Sequence, residues 1–110
     1  MFLNPNLRLG RRIFVLGVAV YSDAIEAAKQ VIADDQARKV FRMVERNPSQ
    51  SGWAIAKSLD MEPKVIEETL RKLKNMGVFD AQGSGLEGYY YLTELGFRVR
   101  EMLLSRSAAV

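Results

Sequence analysis

The residue types available for chemistry in this 110-residue chain are limited, because the sequence contains no histidine and no cysteine. The usual zinc sites, disulfides, thiol nucleophiles and imidazole-based catalytic triads are therefore excluded. The neighbouring carboxylates Glu67 and Glu68 are not a catalytic pair, because adjacent residues on a helix diverge. We expect a binding protein rather than an enzyme, with no cofactor and no bound metal.

One glycine-rich segment matches a nucleotide-binding pattern only by its letters. Residues Gly83 to Gly88 read G-x-G-x-x-G, but a dinucleotide site needs a helix directly afterwards to bind the pyrophosphate. The next residues, Tyr89 to Leu92, alternate in the manner of a strand. The sequence therefore predicts a hairpin loop, with one or two of the three tyrosine rings packed into the core.

The basic residues are the remaining candidates for chemistry, since they bind anions. The formal net charge is +3, and the first 22 residues account for all of it through Arg8, Arg11 and Arg12. From residue 23 onward the basic and acidic residues balance. A surplus confined to one end of the chain indicates an anionic partner less strongly than a basic face would.

An apolar run, Ile13 to Tyr21, follows these arginines. It is nine residues long, whereas a helix needs about 20 to span a bilayer, so we expect no membrane span. The run lacks a clean signal-peptide cleavage site, and we expect a cytoplasmic protein. Its pattern leaves open a strand or a helix. We expect the segment to bury itself against a second copy of the chain, giving a homodimer through residues 13–34 and the last helix.

Helical periodicity begins after this run and predicts two successive helices. Asp23 is the predicted cap of the first helix, and Asp34 either interrupts that helix or caps a second one. The second helix ends at Asn47, because a residue before proline avoids the helical conformation.

A tight helix–turn–helix unit, a hairpin and a closing helix are predicted next. Ser49 or Ser51 caps a short helix over residues 52–59, and Pro63 starts a longer helix that Gly77 ends in a left-handed conformation. Strands are predicted at residues 78–81 and 89–92. Thr93 caps the last helix, which runs to about Ser105 and leaves residues 107–110 to fray.

The order and spacing of these segments resemble a winged helix-turn-helix domain. Residues 48–61 look like its second helix and turn, and residues 66–79 like its third helix and the following strand. The sequence Tyr91-Leu-Thr-Glu-Leu-Gly96 resembles the passage from wing to closing helix in MarR- and PadR-like transcription regulators. The resemblance covers about residues 36–104. It implies an α+β, mostly helical fold with an N-terminal extension (1–35), a winged helix-turn-helix domain (36–105) and a frayed tail (106–110).

The resemblance also implies a function, that of a small DNA-binding transcription regulator acting as a homodimer. The third helix would enter the major groove, and the wing tip, residues 82–88, would touch the adjacent backbone. Two serines and the free N–H groups of their helix would hold a phosphate. The implied contacts are Ser49, Ser51, Lys57, Lys64, Glu67, Glu68, Arg71 and Lys72, with Arg8, Arg11 and Arg12 as an arm and Pro63 among the outward positions.

The sequence departs from the DNA-binding pattern in its third helix and its wing. Glu67 and Glu68 repel phosphate, and residues 81–91 contain no lysine or arginine, so few cations are available to neutralise a backbone. An alternative therefore stays open, in which the basic residues of the third helix pair with Glu67 and Glu68 at helical spacing. A second alternative is that the domain is a protein-interaction or assembly module without DNA binding, for which a neutral wing and an acidic third helix present no difficulty.

Overall fold

The computed structural model describes residues 16–109, with side chains described for residues 23–105. This part of the chain forms five α-helices and three short strands. In chain order these are α1 (Leu16–Ala33), α2 (Asp35–Arg46), β1 (Gln50–Ser51), α3 (Gly52–Leu59), α4 (Pro63–Asn75), β2 (Phe79–Gln82), β3 (Tyr89–Leu92) and α5 (Glu94–Ala109). A single 3-10 turn, Gly85–Glu87, lies between β2 and β3.

Helix α1 begins earlier than the sequence predicted. It is already helical at Leu16, so Asp23 lies inside the helix and its prediction as a cap is wrong. The apolar run before Asp23 continues the helical hydrogen bonding, which leaves no free N–H groups for a cap to satisfy. The run is therefore helical over residues 16–21. Residues 13–15 and the three arginines Arg8, Arg11 and Arg12 lie outside the described residues.

Asp34 caps α2, which settles the alternative that the sequence left open. Its carboxylate accepts hydrogen bonds from the backbone N–H groups of Gln36, at 3.0 Å, and Ala37, at 3.2 Å. The Lys72 ammonium on α4 donates a third hydrogen bond to it at 2.8 Å. This hydrogen bond from Lys72, followed by that from Ala37, lowers the pKa of the Asp34 carboxyl below its usual value.

We expect Asp34→Ala to lower the free energy of unfolding by about 1–2 kcal/mol, because the helix loses its cap and Lys72 loses its partner. Since the pKa is lower in the folded state, this stabilisation is present above about pH 4 and is lost as the pH falls through the folded-state value. Urea titrations between pH 3 and pH 7 measure both effects. Asp34→Asn is the control, because it keeps a capping oxygen but cannot titrate; an unchanged pH dependence in Asp34→Asn would contradict the assignment.

The helix–turn–helix unit follows the predicted boundaries. The Ser51 hydroxyl accepts a hydrogen bond from the Ala54 N–H at 3.1 Å and caps α3, as one of the two predicted serines. Asp60 takes a left-handed conformation at φ 53° in the turn, and Pro63 starts α4 at its first position. Gly77 follows α4 at φ 89°, a conformation that glycine adopts without a steric penalty.

The small sheet has the order β1-β3-β2 and is antiparallel throughout. β2 starts one residue later than predicted, β3 has its predicted bounds, and β1 was not predicted. In β1, Gln50 lies opposite Tyr90 and Ser51 lies opposite Tyr89. The hairpin of β2 and β3 is the wing, and β1 joins its inner strand to the start of α3.

The core is built from all five helices and the wing. Phe41 of α2 stacks on Phe79 of β2, with ring centroids 5.9 Å apart, and Phe79 lies 6.4 Å from the ring of Tyr90. From α1, Ala24 and Val31 are fully buried in the same cluster. The described part of α1 therefore packs on the winged helix within one chain, while the division of the chain into a separate extension and domain stays a prediction.

Helix α5 starts at its predicted cap but continues further. The Thr93 hydroxyl accepts from the Gly96 N–H at 3.1 Å and donates to the Gly77 carbonyl, which ties the start of α5 to the end of α4. The helix runs to Ala109 instead of ending near Ser105, because no glycine or proline interrupts its last residues. Among residues 16–109, none of the helices combines the length and apolar character needed to cross a bilayer.

Candidate nucleic-acid interface

Helix α4 presents one polar face to solvent and buries the opposite face. Ile66, Leu70 and Leu73 are fully buried, while Lys64 and Arg71 are exposed. Positions seven apart lie on nearly the same side of a helix, at 100° per residue. Lys64 and Arg71 therefore share the outer face of α4, as the resemblance implied.

The two glutamates of α4 differ in their exposure to solvent. Glu68 is exposed on the outer face, whereas Glu67 is half-buried. The Glu67 carboxylate lies against the wing. Its Oε2 atom is 3.1 Å from the position that a Cβ atom would occupy at Gly85. The prediction of an outward position for Glu67 is therefore wrong, because the 3-10 turn of the wing covers it. Glu68 is the acidic residue of the fully exposed face, and the charge of Glu67 lies at its edge beside the wing.

Burial raises the pKa of the Tyr90 hydroxyl, and the nearby charge of Glu67 raises it further. The same hydroxyl donates a hydrogen bond to the Gly85 carbonyl at 2.8 Å. Tyr90 is therefore a neutral donor that holds the 3-10 turn in place. Of the three consecutive tyrosines, Tyr90 is buried, Tyr91 is half-buried and Tyr89 is 52% exposed.

Lys72 does not join the cations of the outer face. Its ammonium forms an ion pair with Asp34, 38 residues away, at 2.8 Å. In the part of the chain that the structure describes, neither Glu67 nor Glu68 forms an ion pair with any lysine or arginine. The alternative that placed Lys64, Arg71 and Lys72 in pairs with these glutamates is therefore wrong, since Lys72 binds the cap of α2 and neither Lys64 nor Arg71 pairs with a described residue.

Some of the backbone N–H groups at the start of α3 already donate hydrogen bonds within the protein. The Gly52 N–H donates to the Gly88 carbonyl at 3.1 Å, and the Ala54 N–H donates to Ser51. Ser49 is exposed in a left-handed conformation at φ 64°, and its N–H donates to the Tyr90 carbonyl. Two of the N–H groups that the sequence analysis assigned to a phosphate are thus engaged by the protein, while the phosphate contact itself stays a prediction.

The wing is short and folded back onto the helices. A Cβ at Gly52 would stand 2.7 Å from the Cα atom of Leu86, so glycine permits the 3-10 turn to touch the start of α3. The loop between β2 and β3 presents no cation. The wing therefore offers its backbone, the exposed ring of Tyr89 and the exposed carboxylate of Glu87, and among the described residues any attraction for phosphate comes from the helices.

A further exposed cation and an exposed aromatic ring lie on α3, the other helix of the helix–turn–helix unit. Lys57 is exposed in the last turn of α3, and Trp53, four residues earlier, is 51% exposed on the same side of that helix. Neither Lys57, Lys64 nor Arg71 forms an ion pair with a described residue. Together with Glu68, these residues form the outer face of the helix–turn–helix unit.

A cavity of about 290 Å³ between α2 and α5 was not foreseen from the sequence. Arg38, Arg42 and Arg100 line it together with apolar side chains. The Nε atom of Arg100 is buried there without a hydrogen bond, and it lies 3.8 Å from the carboxylate of Glu45, which also lines the cavity. No local spacing signals this cavity, because the two helices that form it lie far apart in the sequence.

Comparison with known proteins identifies the fold. No protein-family model and no curated protein sequence matches the chain. Solved structures do match, and the transcriptional regulator SlyA aligns at TM-score 0.61 and 20% identity, covering 90% of this chain and 72% of SlyA. The MarR protein of Peptoclostridium difficile aligns at TM-score 0.63 and 16% identity, over 98% of this chain and 71% of that protein.

A MarR family protein of Mycobacterium tuberculosis gives a third match, at TM-score 0.55 and 19% identity, over 99% of this chain and 83% of that protein. At these identities the likeness establishes the fold. The chain therefore has the winged helix-turn-helix fold of MarR-type transcriptional regulators, as its sequence pattern implied.

Proposed function

We propose that this protein is a homodimeric transcription regulator of the cytoplasm that binds duplex DNA through the outer face of its helix–turn–helix unit. The observation that carries the proposal is that three cations of this unit, Lys57, Lys64 and Arg71, are exposed and form no ion pair with a described residue. The shared fold with solved transcriptional regulators supports it.

The electrostatics of this face favour modest phosphate binding. Lys64 and Arg71 lie on the exposed side of α4 with one opposing carboxylate, Glu68, because Glu67 is turned into the wing and Lys72 is neutralised by Asp34. A cation that already has a carboxylate partner gains less from a phosphate than a free one does. We therefore assign the phosphate contacts to Lys64 and Arg71, supported by Lys57.

Neutralising Lys64 and Arg71 should weaken DNA binding by about tenfold at low salt. A fluorescent random-sequence duplex is titrated with the protein at several NaCl concentrations. In Lys64→Gln/Arg71→Gln, we expect the slope of log affinity against log salt to fall by about 1.8, because each phosphate contact contributes about 0.9. The matched control is Lys29→Gln/Arg98→Gln, which removes two exposed cations from α1 and α5 and should leave the slope unchanged.

A chain lacking residues 1–12 distinguishes the helix–turn–helix unit from the N-terminal arginines. If the truncated chain keeps most of the slope, the contact surface is α4. Loss of the whole slope on truncation would assign binding to Arg8, Arg11 and Arg12 and refute the role of α4. An absence of binding even at low salt would refute DNA binding altogether.

The homodimer part of the proposal rests on an exposed apolar stripe of α5. Phe97 and Leu104 are each 49% exposed, and their seven-residue separation places them on the same side of the helix. The guanidinium of Arg100 covers part of the Phe97 ring, with 5.9 Å between the guanidinium carbon and the ring centroid. Exposed apolar side chains aligned on one face are typical of a surface that packs on a partner.

We expect Phe97→Glu/Leu104→Glu to be monomeric where the unaltered protein is dimeric, because two buried charges would oppose the contact. Sedimentation velocity at several protein concentrations measures this change. Trp53→Glu, which places a charge at a similarly exposed aromatic position on α3, should remain dimeric. A monomer for the unaltered protein at tens of micromolar would refute the dimer and leave the DNA proposal to its own test.

A further inference from the structure

Helix α2 carries a second basic surface, separate from the outer face of the helix–turn–helix unit. Four cations lie on one side of the helix, and together with Met43 and Leu59 they line a groove of about 330 Å³ between α2 and the end of α3. We refer to it as the α2 groove. The four cations are Arg38, Lys39, Arg42 and Arg46.

The charge of the α2 groove is only partly balanced. Arg38 and Lys39 share one carboxylate, Asp35, and Arg42 lies 3.6 Å from Glu45. Arg46 is exposed at the end of α2 and has no ion pair among the described residues. The four cations that line the groove therefore have two carboxylate partners, of which Glu45 also lies 3.8 Å from Arg100 of α5. The surplus of positive charge attracts an anionic partner.

The base of the α2 groove is apolar. Met43 and Leu59 are half-buried and pack on the hydrophobic core, with part of each side chain open to the groove. A free phosphate or a sugar–phosphate backbone has little apolar surface to place there, whereas a polypeptide supplies both kinds of side chain. Methionine also adapts its shape to different apolar partners.

The α2 groove does not share the DNA-binding side of α4. α2 packs on α4 through the core, which Val40, Phe41, Ile66 and Leu70 share. These α4 residues lie on the side of the helix opposite Lys64 and Arg71. A duplex on the outer face of α4 therefore leaves the groove accessible.

We propose that the α2 groove binds an acidic amphipathic helix of a partner protein. Arg38, Arg42 and Arg46 are spaced four residues apart, which places successive positions about 6 Å apart along α2. Glutamates at four-residue spacing on the partner helix have the same separation and meet this row of arginines. Leucines on the adjoining face of the partner helix cover Met43 and Leu59. The proposal does not depend on DNA binding.

The test uses a fluorescein-labelled synthetic helical peptide in which a stripe of leucines is bordered by glutamates at four-residue spacing. Anisotropy titrations with the full chain should show saturable binding that weakens with salt. The same peptide with glutamine in place of glutamate should bind at least tenfold more weakly. The methyl resonance of Met43 should shift on titration with the glutamate peptide.

Variants locate the binding to the α2 groove. Lys39→Gln/Arg46→Gln should weaken peptide binding by roughly tenfold, because exposed charge pairs with a partner are lost. The matched control, Lys29→Gln/Arg98→Gln, removes the same charge elsewhere and should bind the peptide as the unaltered chain does. Duplex binding by Lys39→Gln/Arg46→Gln should also be unchanged.

Three results would overturn the proposal. They are an absence of peptide binding at low salt, equal binding of the glutamate and glutamine peptides, and equal peptide binding by the groove variant and the control. A loss of duplex binding in Lys39→Gln/Arg46→Gln would assign the α2 groove to nucleic acid instead. Because the duplex and peptide titrations are separate, the failure of one does not decide the other.

Discussion

Replacing Phe41 by alanine should lower the free energy of unfolding by about 3–5 kcal/mol. The Phe41 ring is fully buried and stacks on Phe79, which in turn contacts Tyr90. Removal of the Phe41 ring leaves a cavity between α2 and the wing, in the centre of the core. The surrounding backbone cannot close such a cavity completely, because three elements meet at this point.

Urea unfolding followed by circular dichroism measures the effect of Phe41→Ala. Trp53→Ala is the matched control, since it removes a larger aromatic ring that is half exposed on α3; we expect it to cost about 1–2 kcal/mol, because about half of its surface is already in contact with water. A loss of similar size in both variants would contradict the assignment of Phe41 to the centre of the core.

The second large effect is expected at Gly96, where Gly96→Ala should destabilise the protein by about 2 kcal/mol. Gly96 lies in the first turn of α5, and a Cβ added there would overlap the carbonyl oxygen of Val78 and press on the side chain of Leu92. The start of α5 must move away from the wing to relieve this overlap. That movement strains the hydrogen bond from Thr93 to Gly77.

The loss of stability that we expect for Gly96→Ala is opposite to the gain that helix propensity predicts. Alanine is favoured over glycine within a helix by about 1 kcal/mol, so the sequence alone predicts that Gly96→Ala stabilises α5. Ser105→Ala, at an exposed position of the same helix, isolates the propensity and should raise stability by a few tenths of a kcal/mol. Thermal unfolding of both variants shows whether the overlap at Gly96 outweighs the helix propensity of alanine. An increase in stability for Gly96→Ala would show that α5 does not contact Val78 as described.

The sequence determined the elements whose signals act within a few residues. Ser51, Pro63 and Gly77 each restrict the backbone locally, so the ends of α3 and α4 could be predicted without knowing what packs on them. The strand of three tyrosines was recognised by its alternation. The winged-helix order followed from these local signals together.

Elements that depend on distant partners could not be predicted. β1 is two residues long, too short to show a period, and it exists only because Gln50 and Ser51 pair with the wing strand. The wing turn covers Glu67 because Gly52 permits Leu86 to approach α3. The early start of α1 was missed because an apolar run has no period that separates a helix from a strand.

The sequence by itself determined the fold class and the supply of charges, because local propensities and composition need no knowledge of the partners of each residue. Only the tertiary structure decided which charges remain available. It pairs Lys72 with Asp34, turns Glu67 into the wing and leaves Lys64 and Arg71 exposed on α4. Helical spacing predicts the neighbours on one helix, whereas an ion pair between two helices depends on how the core packs them together.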